Sequence, residues 1–164
     1  MKILLRDANP VDFASIADIS VAAYQEYANR LTAENWRKMQ HSLSNVSQTA
    51  NTADFMVAEV AGITVGAIAY YPPGKSNPKF FGNCWASLRL LAVAPNYRGH
   101  GIGKLLTKAG INKARQDNAE GIGLYTSEVM TTAQKMYTSL GFKRERELPS
   151  MLGWRYWIYL LPLI

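Results

Sequence analysis

The run Arg98-Gly99-His100-Gly101-Ile102-Gly103-Lys104 is the segment of this chain best suited to chemistry. It follows an apolar stretch, Leu91-Ala92-Val93, and a Pro95-Asn96 turn, and it leads into an amphipathic segment. Glycines let a backbone approach a ligand closely. The N–H groups of a first helical turn point outward together, with the positive end of the helix dipole behind them. That combination suits phosphate, and Arg98 and Lys104 add full charges. Two common phosphate loops do not fit. No GxxxxGK[ST] run exists, and Gly99, Gly101 and Gly103 give GxGxG in place of GxGxxG.

Charge points to the same place. The 164 residues carry 18 basic and 12 acidic side chains, a formal +6. Residues 1–88 and 116–164 each sum to zero, so the excess lies in Arg89, Arg98, Lys104, Lys108, Lys113 and Arg115, with no acid among them. An unopposed basic stretch asks for an anionic partner, or else forms a solvated helix face. No nucleic-acid module is recognisable and the basic helix face is only three residues wide, so nucleic acid ranks last among the partners. One cysteine, Cys84, excludes a disulfide framework and fits a reducing, cytoplasmic setting. It reads as a packed strand residue. Two histidines and one cysteine argue against a His/Cys zinc site, so no metal is expected. No apolar run is long enough to span a membrane.

The elements that must position this segment follow from periodicity. A length of 164 residues with 48% apolar content gives one domain, 1–164, with a real core. Residues 2–6 read as a strand. Asn9-Pro10 opens a first helix, and Thr32 caps a second that carries Trp36, Met39, Leu43 and Val46 on one face. Residues 44–53 read as helix end and loop. Two strands, 55–60 and 63–71, flank Ala61-Gly62 as a hairpin. Residues 84–93 form an apolar central strand. A third helix runs from Gly101 to about Gln116, with Ile102, Leu105, Leu106 and Ala109 as its buried stripe. A strand at 121–126, a fourth helix at 131–140 stopped by Gly141, and closing strands at 142–148 and 154–161 complete a mixed α/β domain.

Arg98-Gly-His-Gly101-Ile-Gly103 fits the (Gln/Arg)-x-x-Gly-x-(Gly/Ala) motif of the GNAT superfamily of acyl-CoA-dependent N-acyltransferases. Leu91 to Tyr97 resembles that family's strand four. Ala133-Gln-Lys-Met-Tyr137-Thr-Ser-Leu-Gly141-Phe142 resembles its second signature, A-x-x-x-Y-x-x-x-G-F. The order of elements along nearly the whole chain is similar too.

The resemblance implies a mixed, mostly antiparallel sheet whose strands four and five splay apart, flanked by about four helices. It implies acetyl-CoA as cosubstrate, its pantetheine arm along the strand-four backbone at Leu91 and Val93. Its pyrophosphate would lie on Arg98, Gly99, His100, Gly101, Ile102, Gly103 and Lys104. Of these, His100 offers only its backbone N–H, and the Ile102 side chain belongs to the core. Tyr137 falls on an apolar helical stripe, where pattern alone favours packing; the resemblance makes it the general acid. The implied reaction is acetyl transfer to a primary amine by direct attack in a ternary complex. The alternative is a regulatory acyl-CoA-binding module of the same fold without significant catalysis.

Two positions depart from the family pattern. Strand 84–93 has no glutamate to act as base, which leaves Glu128 after strand five, Glu59, or bulk solvent. The place before the fourth helix where relatives often carry Asn holds Met130, with Thr131 or Thr132 as substitutes. Tyr24, Tyr27, Trp36, Trp154 and Tyr156 either line an amine cleft or belong to the core. The partners expected are a small-molecule or peptide amine, neither nucleic acid nor membrane, and Trp154–Trp157 either joins a second copy in a homodimer or closes the sheet.

Overall fold

Ala61 and Gly62 both adopt positive φ, 50° and 79°, the geometry of a two-residue hairpin turn. They fold Asp54–Val60 (β2) back onto Ile63–Tyr71 (β3). The structure, a computed structural model, describes residues 1–164. Leu4–Asp7 (β1) pairs with the free edge of β2, and Trp85–Val93 (β4) with β3. Gly121–Ser127 (β5), Lys143–Met151 (β6) and Trp154–Pro162 (β7) follow. The seven strands form one sheet in the order β1-β2-β3-β4-β5-β7-β6. Only β4 and β5 run parallel.

Five helices cover the sheet: Phe13–Tyr24 (α1), Ala33–Ser44 (α2), Val46–Thr49 (α3), Ile102–Gln116 (α4) and Thr131–Ser139 (α5). Strand alternation assigns the faces. Phe55 and Val57 of β2 pack with Ile16 of α1, while Met56 and Ala58 pack with Ile102 and Leu106 of α4. Arg6 of β1 ties the N-terminal edge together. Its guanidinium donates to Asp12 at 2.8 Å and to Glu59 at 2.7 Å. That pairing holds the Asp12 carboxyl down at about 2, and Asp12 also accepts the Asn9 N–H.

The structure departs from the sequence expectations in three places. Helix α2 stops at Ser44 because Asn45 leaves helical geometry, so Val46 starts a separate short helix. Cys84 is exposed, just before β4, not packed within it. On α4 the buried stripe is Ile102, Leu106, Thr107, Gly110, Ile111 and Ala114, and Leu105 is exposed. The reason is close approach: a Cβ at Gly110 would lie 2.5 Å from the buried Leu88 side chain. The helix therefore docks through its small residues and turns Leu105 outward.

Two irregularities in the sheet create the site. The β3–β4 register passes from Ala67↔Ala92 to Ala69↔Arg89, so Ile68 faces both Leu90 and Leu91. Leu90 takes φ 61°, and the strand bulges there. On the other edge, β4 pairs with β5 only from Trp85–Gly121 to Ser87–Gly123. Beyond Ser87 the two strands diverge.

Candidate active site

The divergence opens a cleft of about 580 Å³ on the edge of β4. Leu91, Ala92 and Val93 form one wall, and the loop and start of α4 form another. Glycine makes the second wall possible. Gly99 and Gly101 hold φ 81° and 78°, which L side chains rarely adopt, and a Cβ on either would meet no protein atom within 4 Å. Gly103 sits where a Cβ would lie 3.7 Å from Leu91 and 3.8 Å from Val93, so it brings the helix start against β4. Gly101 caps α4 without a side chain, and the N–H groups of Ile102, Gly103 and Lys104 donate to no protein atom. They are free for an anionic ligand.

The residues of the expected phosphate loop come together here, with two qualifications. His100 is exposed and lies outside the cleft lining. Arg98 lines the cleft but is already engaged: Nη1 donates to Glu26 at 3.0 Å and Nη2 to the Ala23 carbonyl at 2.9 Å. The basic excess of 89–115 also divides. Lys113 pairs with Asp7 at 2.8 Å, Lys104 faces the cleft, and Arg89 points to a different cavity.

Tyr137 of α5 is 7% exposed and packs edge-on to Phe142. It lines a small cavity of about 70 Å³ between the diverging strands, with Leu88, Leu91, Leu124 and Thr126. Burial pushes its phenol well above the ordinary tyrosine range, and the nearby Tyr24 adds to the shift. The hydroxyl therefore keeps its proton at neutral pH. Glu128 is not brought to this place. It is exposed, lines none of these cavities, and accepts the Arg155 backbone N–H at 3.4 Å. Glu59 is held by Arg6.

Tyr24 links the parts. It lines the cleft, the small cavity, and a third cavity of about 380 Å³ under α2 and the β6–β7 turn. Its hydroxyl donates to the Leu91 carbonyl at 3.4 Å, so that carbonyl faces the splay and not β3. Met130 also borders all three spaces, and Thr132, not Thr131, lines the cleft. Of the other aromatics named from the sequence, Tyr156 lines the third cavity and Tyr27 the cleft. Trp154 is core, its indole donating to the Arg30 carbonyl at 3.1 Å, and Trp36 packs beside it. Sequence reasoning missed Glu26 and the junction role of Tyr24. Helical spacing shows that Tyr24 shares a face with the core, but not that α1 ends over the β4 bulge.

The sequence profile described as "Acetyltransferase (GNAT) family" matches residues 13–142. The chain belongs to that family. N-acetyltransferase 8B of Mus musculus is 34% identical over 103 residues, 63% of this chain and 43% of that protein. N-alpha-acetyltransferase 30 of Saccharomyces cerevisiae is 29% identical over 146 residues, 85% of this chain and 74% of that protein. The chain spans 43%, 56% and 57% of the length of N-acetyltransferase 8B and N-acetyltransferase 8F1 of Mus musculus and the probable N-acetyltransferase camello of Xenopus tropicalis. Among solved structures, the PaiA N-acetyltransferase of Thermoplasma acidophilum, in complex with coenzyme A, superposes with TM-score 0.77 at 17% identity, covering 96% of this chain and 98% of that one. A GNAT acetyltransferase of Brucella melitensis in complex with acetyl-CoA gives 0.65 at 23%, over 99% and 88%. These two likenesses show the GNAT fold.

Proposed function

We propose that the protein transfers an acetyl group from acetyl-CoA to a primary amine. The observation that carries this is the pairing of an anion-ready helix start with an unpaired β4 edge in one cleft. The residues fit the group. The free N–H groups of α4 and the side chain of Lys104 suit its pyrophosphate, and the edge at Leu91 and Val93 suits the amide-bearing pantetheine arm. When bound, acetyl-CoA supplies the activated acetyl thioester.

The chain's own residues then have three tasks. The β4 edge orients the cosubstrate and excludes water from the splay. Leu90, Tyr125 and Thr126 shape the side from which the amine approaches. Tyr137 holds a proton at its hydroxyl and gives it up as the thiolate leaves. The acceptor nitrogen takes the acetyl group directly, in a ternary complex. The amine loses its proton to solvent, because Glu26, held by Arg98, is the one carboxylate that borders these spaces. The relatives named for N-acetylation support nitrogen as the acceptor atom. No helix is long and apolar enough to cross a membrane.

The test is thiol release from acetyl-CoA across a panel of amines, with Tyr137→Phe alongside. Turnover on some amine, sharply reduced in the variant, supports the reading. Tight acetyl-CoA binding without turnover would favour a binding module.

A further inference from the structure

Arg89 is the single charged side chain lining the 380 Å³ cavity beside the cleft. It projects from β4 into the space left where β5 diverges. Its guanidinium lies 5.6 Å from the Tyr125 ring centre, and Nη1 donates to the Tyr71 hydroxyl at 3.4 Å. A guanidinium has five N–H donors, and within the chain only tyrosine oxygens meet them, Tyr71 at 3.4 Å with Tyr125 beside it. No aspartate or glutamate pairs with it or borders the cavity. The rest of the lining is apolar or hydroxyl-bearing: Met39, Leu43, Leu90, Met151 and Leu152, with Tyr24, Tyr125 and Tyr156. A half-buried cation without a counter-charge, facing an apolar space, is costly unless the ligand supplies the anion.

The cavity also limits the ligand's size. It is roofed by α2 and by the β6–β7 turn, and its volume suits a small molecule. Its route to the acetyl-binding cleft passes Tyr24 and Met130, which border both. A simple cationic amine entering here would meet Arg89 as a like charge. A zwitterion would not.

We infer that the acceptor is a small amine bearing a carboxylate, which Arg89 grips while the amine faces the cleft. This rests on the acetyl-transfer reading of the site. The arrangement has a chemical use. A cation near the amine disfavours its ammonium form, so Arg89 helps supply the neutral nucleophile that no carboxylate base provides. The apolar lining selects free amino acids with apolar side chains. Arg89 is then a specificity-determining residue, and Arg is suited to it by its planar fork.

The experiment compares L-leucine, L-methionine and L-phenylalanine with their own carboxamides, and with spermidine and a short C-terminally amidated peptide, as acceptors for wild type, Arg89→Lys and Arg89→Met. Wild type is expected to prefer each carboxylate over its carboxamide at least tenfold in kcat/KM, mainly through KM. Arg89→Met should abolish that preference while its acetyl-CoA Kd stays unchanged, which shows the fold intact. Arg89→Lys should keep part of it. Calorimetric titration of L-leucine and leucinamide reads the same preference without turnover, so a failure of acetyl transfer is separable from a failure of this inference. Equal use of carboxamides, a preference that survives in Arg89→Met, or selective use of spermidine or the peptide would overturn it.

Discussion

Arg98 donates to the Glu26 carboxylate at 3.0 Å and, through its second nitrogen, to the last turn of α1 at Ala23. Arg98 is thus a clasp between the Gly99–Gly103 loop and the end of α1, and under the proposed function Glu26 competes with the cofactor phosphate for it. Both side chains are more than a third exposed, so the pair contributes little to stability. Removing the carboxylate should help the anion. Glu26→Gln is expected to tighten acetyl-CoA binding by about twofold to fivefold at low salt, and less at high salt. Calorimetric titration at two ionic strengths checks this. Weaker binding in Glu26→Gln would mean that the clasp serves the site by holding Arg98 in place.

Tyr137→Phe keeps the ring against Phe142 and deletes only the hydroxyl. A lost general acid costs on the order of 10²-fold or more in kcat, with the KM for acetyl-CoA little changed. The raised Tyr137 pKa also sets a pH expectation. A general acid works while protonated, so its contribution persists through the ordinary tyrosine range near ~10 and falls only above it. The rate should climb with pH as the acceptor amine deprotonates, with no descending limb below about 10. Steady-state kinetics across pH on both proteins would show this.

Gly101→Val places a β-branched side chain at φ 78°, where strain costs roughly 1–3 kcal/mol. The new Cβ would touch nothing in the protein, so the fold should survive. The added methyls would instead stand at the helix start where phosphate is to sit. Acetyl-CoA affinity should drop more than tenfold, measured by titration, with thermal unfolding only a few degrees lower. Unchanged affinity would remove the loop from the binding site.

Asp12 offers a test of the scaffold alone. Its carboxyl is lowered from 3.8 to about 2, first by the Arg6 hydrogen bonds. A depressed folded-state pKa gives stability that is fully present above the unfolded value near ~3.9 and is lost as pH falls toward 2. The pair should contribute roughly 2 kcal/mol at neutral pH. Asp12→Asn should lose that much at pH 7 and differ little from wild type near pH 2, by denaturant unfolding at each pH.

The sequence made most of the fold readable because its signals were local. Ala61-Gly62 between two apolar runs specified the hairpin, and glycines after an apolar strand marked the start of α4. What it hid depended on contacts between distant residues. Leu105 looked buried by its spacing, but the small Gly110 against Leu88 turned the helix. Arg98 and Arg89 looked like members of one basic patch. Only the folded β4 bulge and the ending of α1 show that one clasps Glu26 and the other faces a separate cavity. Glu128 is near the site in sequence, but the turn after β5 points it outward to Arg155. The motif singles out Tyr137, and the splay explains how a core residue at that position borders a cavity.

The most direct measurement is to incubate the protein with acetyl-CoA and an amine panel, following thiol release and the mass of the acceptor together. The account predicts one acetylated amine for each thiol released, with turnover sharply reduced in Tyr137→Phe and acetyl-CoA affinity lowered more than tenfold in Gly101→Val. Thiol release without any acetylated amine, or no binding of acetyl-CoA by the wild-type protein, would contradict it.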